Sequence, residues 1–182
     1  LLPAPQAIEI LQLPPDKKYL LITLGGGGQE GLEKIIDELL ELLKEYPHIH
    51  PVIAHGSLMR RNGRKREGTI LEGYFPLCEL YNAFDYVIAG CGYNTVNQLI
   101  YFRKPALFLP FERQVDDQQR RAAELAARGL GVMAEPGNRE SKKDGLEKLF
   151  NDQVYSEIQG NLNKERCRNN ARRAAKAILK LK

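Results

Sequence analysis

A chain of 182 residues can bury about 70% of the surface its unfolded form exposes, which suits one domain and leaves two cramped. With 43% hydrophobic and 27% charged residues, 16 Gly and 10 Pro, it is neither a disordered nor a collagen-like sequence, and no apolar run approaches the ~20 residues of a membrane-spanning helix. The net charge of +4 is uneven: residues 160–182 hold eight Lys/Arg against Glu165 alone, a net of +7, so the preceding 159 residues carry −3.

Residues 1–18 read as a Pro-punctuated lead-in (Pro3, Pro5, Pro14, Pro15), and 19–182 as one α/β domain. Tyr19–Leu24 is a short apolar run closed by four glycines, the signature of a strand buried on both faces. Glu30–Glu45 then places Leu32, Ile35, Ile36, Leu39, Leu40 and Leu43 at the 3.6-residue period of an amphipathic helix. The alternation continues. Strands are predicted at Pro51–Ala54, Gly68–Glu72, Tyr86–Ala89, Ala106–Leu109 and Gly131–Met133, with helices near Leu77–Ala83, Asn94–Phe102, Asp116–Arg128, Ser141–Asn151 and Asn163–Leu181. This order predicts a single doubly wound parallel sheet with helices on both faces, whose ligands sit beyond the carboxyl ends of the strands. In the last helix, a basic one placed at 163–181, Ala171, Ala174, Ala175 and Ile178 form a stripe expected to dock on the domain.

The cysteines, Cys78, Cys91 and Cys167, have no CxxC spacing, so no zinc or disulfide framework is expected and a reducing, cytoplasmic setting fits. His48 and His50 lack a third ligand, so no metal site is expected. No signal sequence opens the chain, and its Leu1-Leu2-Pro3 start without Met reads as a piece of a longer polypeptide. A basic cluster, Arg60, Arg61, Arg64, Lys65 and Arg66, surrounds an Asn-Gly turn and is read as an exposed loop.

Three loops that follow strands could hold a ligand. Gly25–Gly31 opens a helix, and a loop without Cβ atoms lets N–H groups approach an anion, aided by the helix dipole. Gly26, Gly28 and Gly31 match a dinucleotide fingerprint, yet no acidic residue closes the second strand, which runs into His55-Gly56-Ser57, so NAD is disfavoured. No Gly-Lys-Ser/Thr supports a Walker nucleotidase. Gly90–Gln98 takes another strand into a helix, and Thr95-x-x-Gln98 has the form of a capping box. Phe111–Gln119 offers amides and carboxylates suited to sugar hydroxyls, with Asp116-x-x-Gln119 able to cap its own helix.

From Asp85 to Met133 the sequence reads Asp85-Tyr-Val-Ile-Ala-Gly-Cys-Gly-Tyr-Asn-Thr-Val, Lys104-Pro-Ala-Leu-Phe-Leu-Pro-Phe, Asp116-Asp-Gln-Gln and Arg128-Gly-Leu-Gly-Val-Met. This order of motifs resembles the C-terminal, donor-binding half of GT-B glycosyltransferases, the group containing the peptidoglycan-precursor N-acetylglucosaminyltransferase. With the Gly-rich loop, His55-Gly56-Ser57 and the Tyr74-to-Tyr81 loop, the resemblance covers residues 18–135. It implies a Rossmann-like half of a GT-B fold and an inverting transferase that uses a nucleotide-sugar, most often a UDP-sugar, as substrate without a cofactor or an obligatory metal. Under it Gly26, Gly27 and Gly28 would approach the diphosphate, and Gln29 and His55 also count among the donor-binding residues. Tyr74 and Leu77 would hold the base. Gly92, Tyr93, Asn94 and Thr95 would bind the phosphate and sugar side, and Gln118 and Gln119 would grip sugar hydroxyls. One departure stands out: relatives carry a Glu that accepts from the ribose hydroxyls, and this chain has Gln98, an acceptor without charge assistance.

In that family the acceptor and the general base come largely from an N-terminal domain, so no catalytic residue is assigned here. The isolated chain is expected to bind donor and turn over nothing, its partner being an N-terminal acceptor domain or a separate subunit, with room for a peripheral membrane contact. The alternatives are a nucleotide-sugar hydrolase or epimerase on the same half-fold, and the donor subunit of a two-chain transferase. A nucleic-acid or membrane-surface binder ranks last, because no aromatic residues interleave with the basic clusters.

Overall fold

Apolar runs with no alternation, such as Tyr19–Ile22 and Val87–Ala89, suit strands covered on both faces, and they form the centre of the sheet. The computed structural model describes residues 1–25, 31–55, 66–167 and 170–180, with His55 described by its backbone alone. Six parallel strands, β1 (Lys18–Thr23), β2 (Ile49–His55), β3 (Thr69–Glu72), β4 (Tyr86–Gly90), β5 (Ala106–Leu109) and β6 (Val132–Met133), lie in the order β3-β2-β1-β4-β5-β6. All six stand where the apolar runs predict. The order reverses between β1 and β4, whose register pairs Thr23 with Ala89, so the loops leaving these two strands diverge from one crevice.

The helices are α1 (Ala4–Ile10), α2 (Leu32–Leu43), α3 (Tyr93–Tyr101), α4 (Gln118–Ala127), α5 (Arg139–Phe150), α6 (Asp152–Lys164) and α7 (Ala171–Leu179), with a 3₁₀ segment at Leu77–Ala83. The lead-in is more than a connector. Ala7, Leu11 and Leu13 are buried, and Leu2 exchanges hydrogen bonds with the 3₁₀ segment through Glu79 O (2.9 Å) and Asn82 Nδ2 (2.8 Å).

The expected 163–181 helix is divided otherwise. Residues 163–164 close α6, which Asn151 caps by accepting from Gln153 N and Val154 N at 3.1 Å each, and α7 begins at Ala171. The thin stripe Val154, Ile158, Leu162, in a segment that also holds Gly160, hid α6 from the periodicity. Every residue of α7 is exposed, so its small-residue face is not buried against the described residues as expected. The Arg60–Arg66 reading needs a correction at its end: the Arg66 side chain is 3% exposed, held by Glu33 and by Asp37 (2.8 Å) of α2. Residues 60, 61, 64 and 65 lie outside the described residues.

Gly131 enters β6 against the fully buried β5. A Cβ there would lie 2.6 Å from the Phe108 ring and 2.8 Å from the Ala106 carbonyl oxygen. Backbone cannot yield as a side-chain tip can, so Gly131→Ala is expected to cost about 2 kcal/mol. Denaturant midpoints measure it, and a loss below about 0.5 kcal/mol, the scale of an ordinary surface change, would mean that the sheet edge gives way freely.

Candidate functional site

Three chain segments meet at the carboxyl edge of the central strands. A Cβ on Gly90, the last residue of β4, would stand 3.4 Å from the Phe111 ring beyond β5 and 3.5 Å from the Leu24 carbonyl oxygen beyond β1. A Cβ at this position would already be in van der Waals contact with both loops, so the three segments are closely packed here. After β1 the chain turns at Gly25 (φ 97°) and re-enters α2 at Gly31 (φ 81°), both in the left-handed region. Gly26, Gly27, Gly28 and Gln29, together with the side chain of His55, lie outside the described residues.

After β4, Gly92 is the N-cap residue of α3 with no side-chain cap, and Thr95 and Gln98 do not form the expected capping box. Helix α3 starts at Tyr93, which puts Thr95 inside its first turn instead of at the cap. Val96 N bonds Gly92 O at 3.0 Å, while no acceptor among the described residues meets the N–H groups of Tyr93, Asn94 and Thr95. Three unpaired amides at the positive end of a helix dipole, opening on a crevice, are suited to an anion. Tyr93 and Asn94 are exposed and Thr95 is half-buried.

The loop from Pro110 to Gln119 lines an open cavity of about 690 Å³ beside this helix end. Its two glutamines differ. Gln118 is buried, its Oε1 accepting from Phe111 N (3.1 Å) and its Nε2 donating to Asp116 Oδ2 (3.2 Å), so it struts the loop. Gln119 is exposed and lines the cavity. The cap of α4 is Asp117, which accepts from Arg120 N at 3.0 Å, rather than Asp116.

Asp116 faces a residue that the sequence reading missed. Arg121 donates through Nη2 to Asp116 Oδ1 (2.6 Å) and through Nη1 to Cys91 O (2.7 Å), and its Cζ lies 5.8 Å from the centre of the Tyr93 ring. One planar guanidinium thus ties the β5–α4 loop to the turn that opens α3. The hydrogen bond from Arg121 holds the Asp116 carboxyl below its ordinary range. A five-residue separation follows no helical contact rule, so nothing in the sequence pattern flagged the pair.

Tyr74 and Leu77 are half-buried on the loop after β3, at the start of the 3₁₀ segment. That segment reaches α3 through Tyr81, whose hydroxyl donates to Gln98 Oε1 at 3.4 Å. Burial pushes the Tyr81 phenol up to about 12 and the Cys91 thiol up to about 11, so both stay protonated at neutral pH and Cys91 supplies no thiolate nucleophile. At the opposite edge of the sheet, the His50 ring Nε2 lies 3.0 Å from Thr69 Oγ1. His48 and His50 lie away from the crevice, near the amino end of β2.

A doubly wound parallel half-domain with open loops at its reversal point is the architecture of the donor side of GT-B glycosyltransferases, and the comparisons agree. The family model for the glycosyltransferase family 28 C-terminal domain matches residues 19–180, and the chain belongs to that family. Among curated relatives it is similar to the UDP-N-acetylglucosamine--N-acetylmuramyl-(pentapeptide) pyrophosphoryl-undecaprenol N-acetylglucosamine transferase of Thermosipho africanus. The two are 31% identical over 120 residues, 65% of this chain and 34% of that one. The Sulfurihydrogenibium enzyme of the same name is 27% identical over 146 residues, 79% of this chain and 41% of its own. The chain therefore spans between about a third and two-fifths of the length of these relatives. Among solved structures, the spinosyn forosaminyltransferase SpnP shares the fold with a TM-score of 0.67 at 23% identity, over 90% of this chain and 40% of that one. The spinosyn rhamnosyltransferase SpnG, solved with thymidine diphosphate, does so with a TM-score of 0.64 at 22% identity, over 81% of this chain and 40% of its own.

Proposed function

We propose that these 182 residues are the donor-binding half of an inverting glycosyltransferase that takes a nucleotide-sugar, a UDP-sugar first of all. The observation that carries this reading is the row of unpaired amides at Tyr93–Thr95, facing the crevice beside the Pro110–Gln119 cavity. In the transfer, an acceptor hydroxyl oxygen bonds to the anomeric carbon as that carbon's bond to the β-phosphate oxygen breaks. The electron pair leaves with the nucleoside diphosphate, and the acceptor proton goes to a base supplied by another domain or subunit. Negative charge grows on the phosphates, where the α3 terminus and the Gly26–Gly28 loop stabilise it without a metal. Tyr74 and Leu77 take the base, Gln98 the ribose and Gln119 the sugar, while Gln118 and Arg121 hold the loops that present them. The acceptor named for the curated relatives is lipid-linked. A similar acceptor would bring this chain to a membrane surface, where the cations of α7 suit anionic head groups.

Calorimetric titration of the chain with nucleoside diphosphates and their sugars tests the reading. Gly27→Val should abolish binding, because a branched side chain bars backbone from the phosphates. Gln119→Ala should weaken a UDP-sugar by about tenfold and bare UDP by much less. Equal loss of both ligands removes Gln119 from the sugar site, and a chain that binds no nucleoside diphosphate or sugar derivative ends the proposal.

A further inference from the structure

The lead-in ahead of β1 is docked, and what it docks on is the 3₁₀ segment. Leu2 N donates to Glu79 O (2.9 Å) and Leu2 O accepts from Asn82 Nδ2 (2.8 Å), so one residue is clasped by both of its backbone groups. Behind that clasp Ala7 is fully buried, and Leu11 and Leu13 reach the core. The 3₁₀ segment also touches α3. Tyr81 is buried, its hydroxyl donating to Gln98 Oε1 (3.4 Å) and its ring standing edge-on to Phe102, the residue that ends α3. One short segment is thus shared between the lead-in and the helix whose first turn carries the unpaired amides.

Two features let the lead-in open apart from the rest of the fold. It adds no strand to the sheet, so its release breaks none of the ladder. Gln12 stands at φ 50°, in the left-handed region that residues with a Cβ disfavour, which offsets part of what burying Leu11 and Leu13 gains. Such segments open locally at far lower cost than the whole domain. On opening, Glu79 O loses the Leu2 donor, Asn82 loses its acceptor, and the 3₁₀ segment loses its packing against α1. A close-packed interior passes such a change to its neighbours, here through Tyr81 to α3.

We infer that the lead-in, residues 1–13, is a conformational latch on the donor site. Docked, it holds the 3₁₀ segment and α3 in the arrangement that binds a nucleoside diphosphate; released, it lowers that affinity. The inference rests on the donor-site reading above and adds the element that regulates the site. Linkage makes the coupling reciprocal: the factor that docking adds to nucleotide affinity is the factor that bound nucleotide adds to docking. Asn82 is a positioning residue, acting on the nucleotide only through Leu2. Any chain joined ahead of Leu1 would reach the donor site through this latch.

Hydrogen exchange of the 182-residue chain, with and without UDP, tests the coupling. Exchange through local opening slows only where the ligand prefers the closed form, so saturating UDP should slow exchange in residues 2–13 by about threefold or more. Asn82→Ala, at an exposed position, removes the bond to Leu2 O and leaves the core alone. It should speed lead-in exchange and weaken UDP by about threefold, with the global unfolding midpoint unchanged. Ala7→Asp puts a charge where α1 is buried and should weaken UDP by about tenfold; if it fails to fold, Asn82→Ala and the exchange data decide. Lead-in exchange that ignores UDP, or a UDP affinity that Asn82→Ala leaves as in the parent chain, overturns the inference and reduces the lead-in to a cover for the core. Affinity that falls only in step with the unfolding midpoint overturns it as well. Failure to bind UDP at all would overturn the donor-site reading and the latch with it, a result distinct from binding without coupling.

Discussion

Replacing Arg121 with alanine is expected to weaken nucleoside diphosphate binding by a factor of about 30 and to lower stability by about 2 kcal/mol, the range for losing two charge-assisted hydrogen bonds at a half-buried site. The guanidinium is the one group described here that bonds at once to Cys91 O, in the turn that opens α3, and to Asp116, in the loop around the cavity. Its removal leaves the Cys91 carbonyl without its donor and Asp116 without its cation. It also uncovers the Tyr93 ring that the guanidinium overlies. The amides of Tyr93, Asn94 and Thr95 would then lose their fixed aim, and preorganised donors are worth more than mobile ones. Arg121→Lys should recover less than half of the affinity, because an ammonium cannot serve two acceptors in one plane. Full recovery by lysine would show that charge alone matters and that the bridge does not.

The same pair predicts a dependence on pH. Asp116 is held below its ordinary pKa chiefly by the hydrogen bond from Arg121. A depressed carboxyl contributes stability that is complete above its unfolded pKa of about 4 and is lost as pH falls through the lower folded value. The stability gap between the parent chain and Arg121→Ala should therefore be full at pH 7 and shrink below pH ~4. Urea midpoints at pH 7 and in acid read it directly, and a gap that holds constant into acid would take Asp116 out of the account.

Much of the fold was legible because a parallel sheet buried on both faces leaves a mark that needs no context. Uninterrupted apolar runs such as Val87–Ala89 or Ala106–Leu109 suit the strands of such a sheet. Helix α6 was not legible, since its apolar stripe is a thin row of three residues, Val154, Ile158 and Leu162, amid polar side chains and a glycine that weakens helix propensity. At the site, the loops could be read and the division of labour within them could not. Gln118 and Gln119 are neighbours of one chemical type and both line the cavity, and only the direction of the chain at the start of α4 decides that one is buried and struts the loop while the other is exposed. Arg121 with Asp116, and Tyr81 with Gln98, are contacts between elements set by how the chain packs, and local spacing carries no trace of them.

Lys142 yields the largest effect expected on stability. Its side chain is fully buried on the face of α5 shared with Leu146 and Leu149, with Nζ donating to Pro136 O (2.6 Å) and pairing with Glu38 Oε2 of α2 (2.9 Å). Read in sequence, Arg139–Asp144 is a charged stretch that belongs in water, yet the helical period carries this one cation inward. Lys142→Ala removes the nearer partner of a half-buried carboxylate, leaving it only the exposed Lys34 at 3.9 Å, strands a carbonyl and leaves a cavity, for an expected loss of about 4 kcal/mol. Lys142→Met keeps most of the packed stem and should lose about half as much, and adding Glu38→Gln, which neutralises the weakened carboxylate, should restore part of the remainder. Denaturant unfolding of the three variants separates packing from charge. If methionine proves as damaging as alanine, the ion pair and not the filled volume braces α5 against α2. The brace bears on the site as well, because α2 is the helix into which the Gly25–Gly31 loop runs. A loosened α2 would leave that loop without a fixed end, so the affinity for UDP should fall in Lys142→Ala, even at temperatures where the variant remains folded.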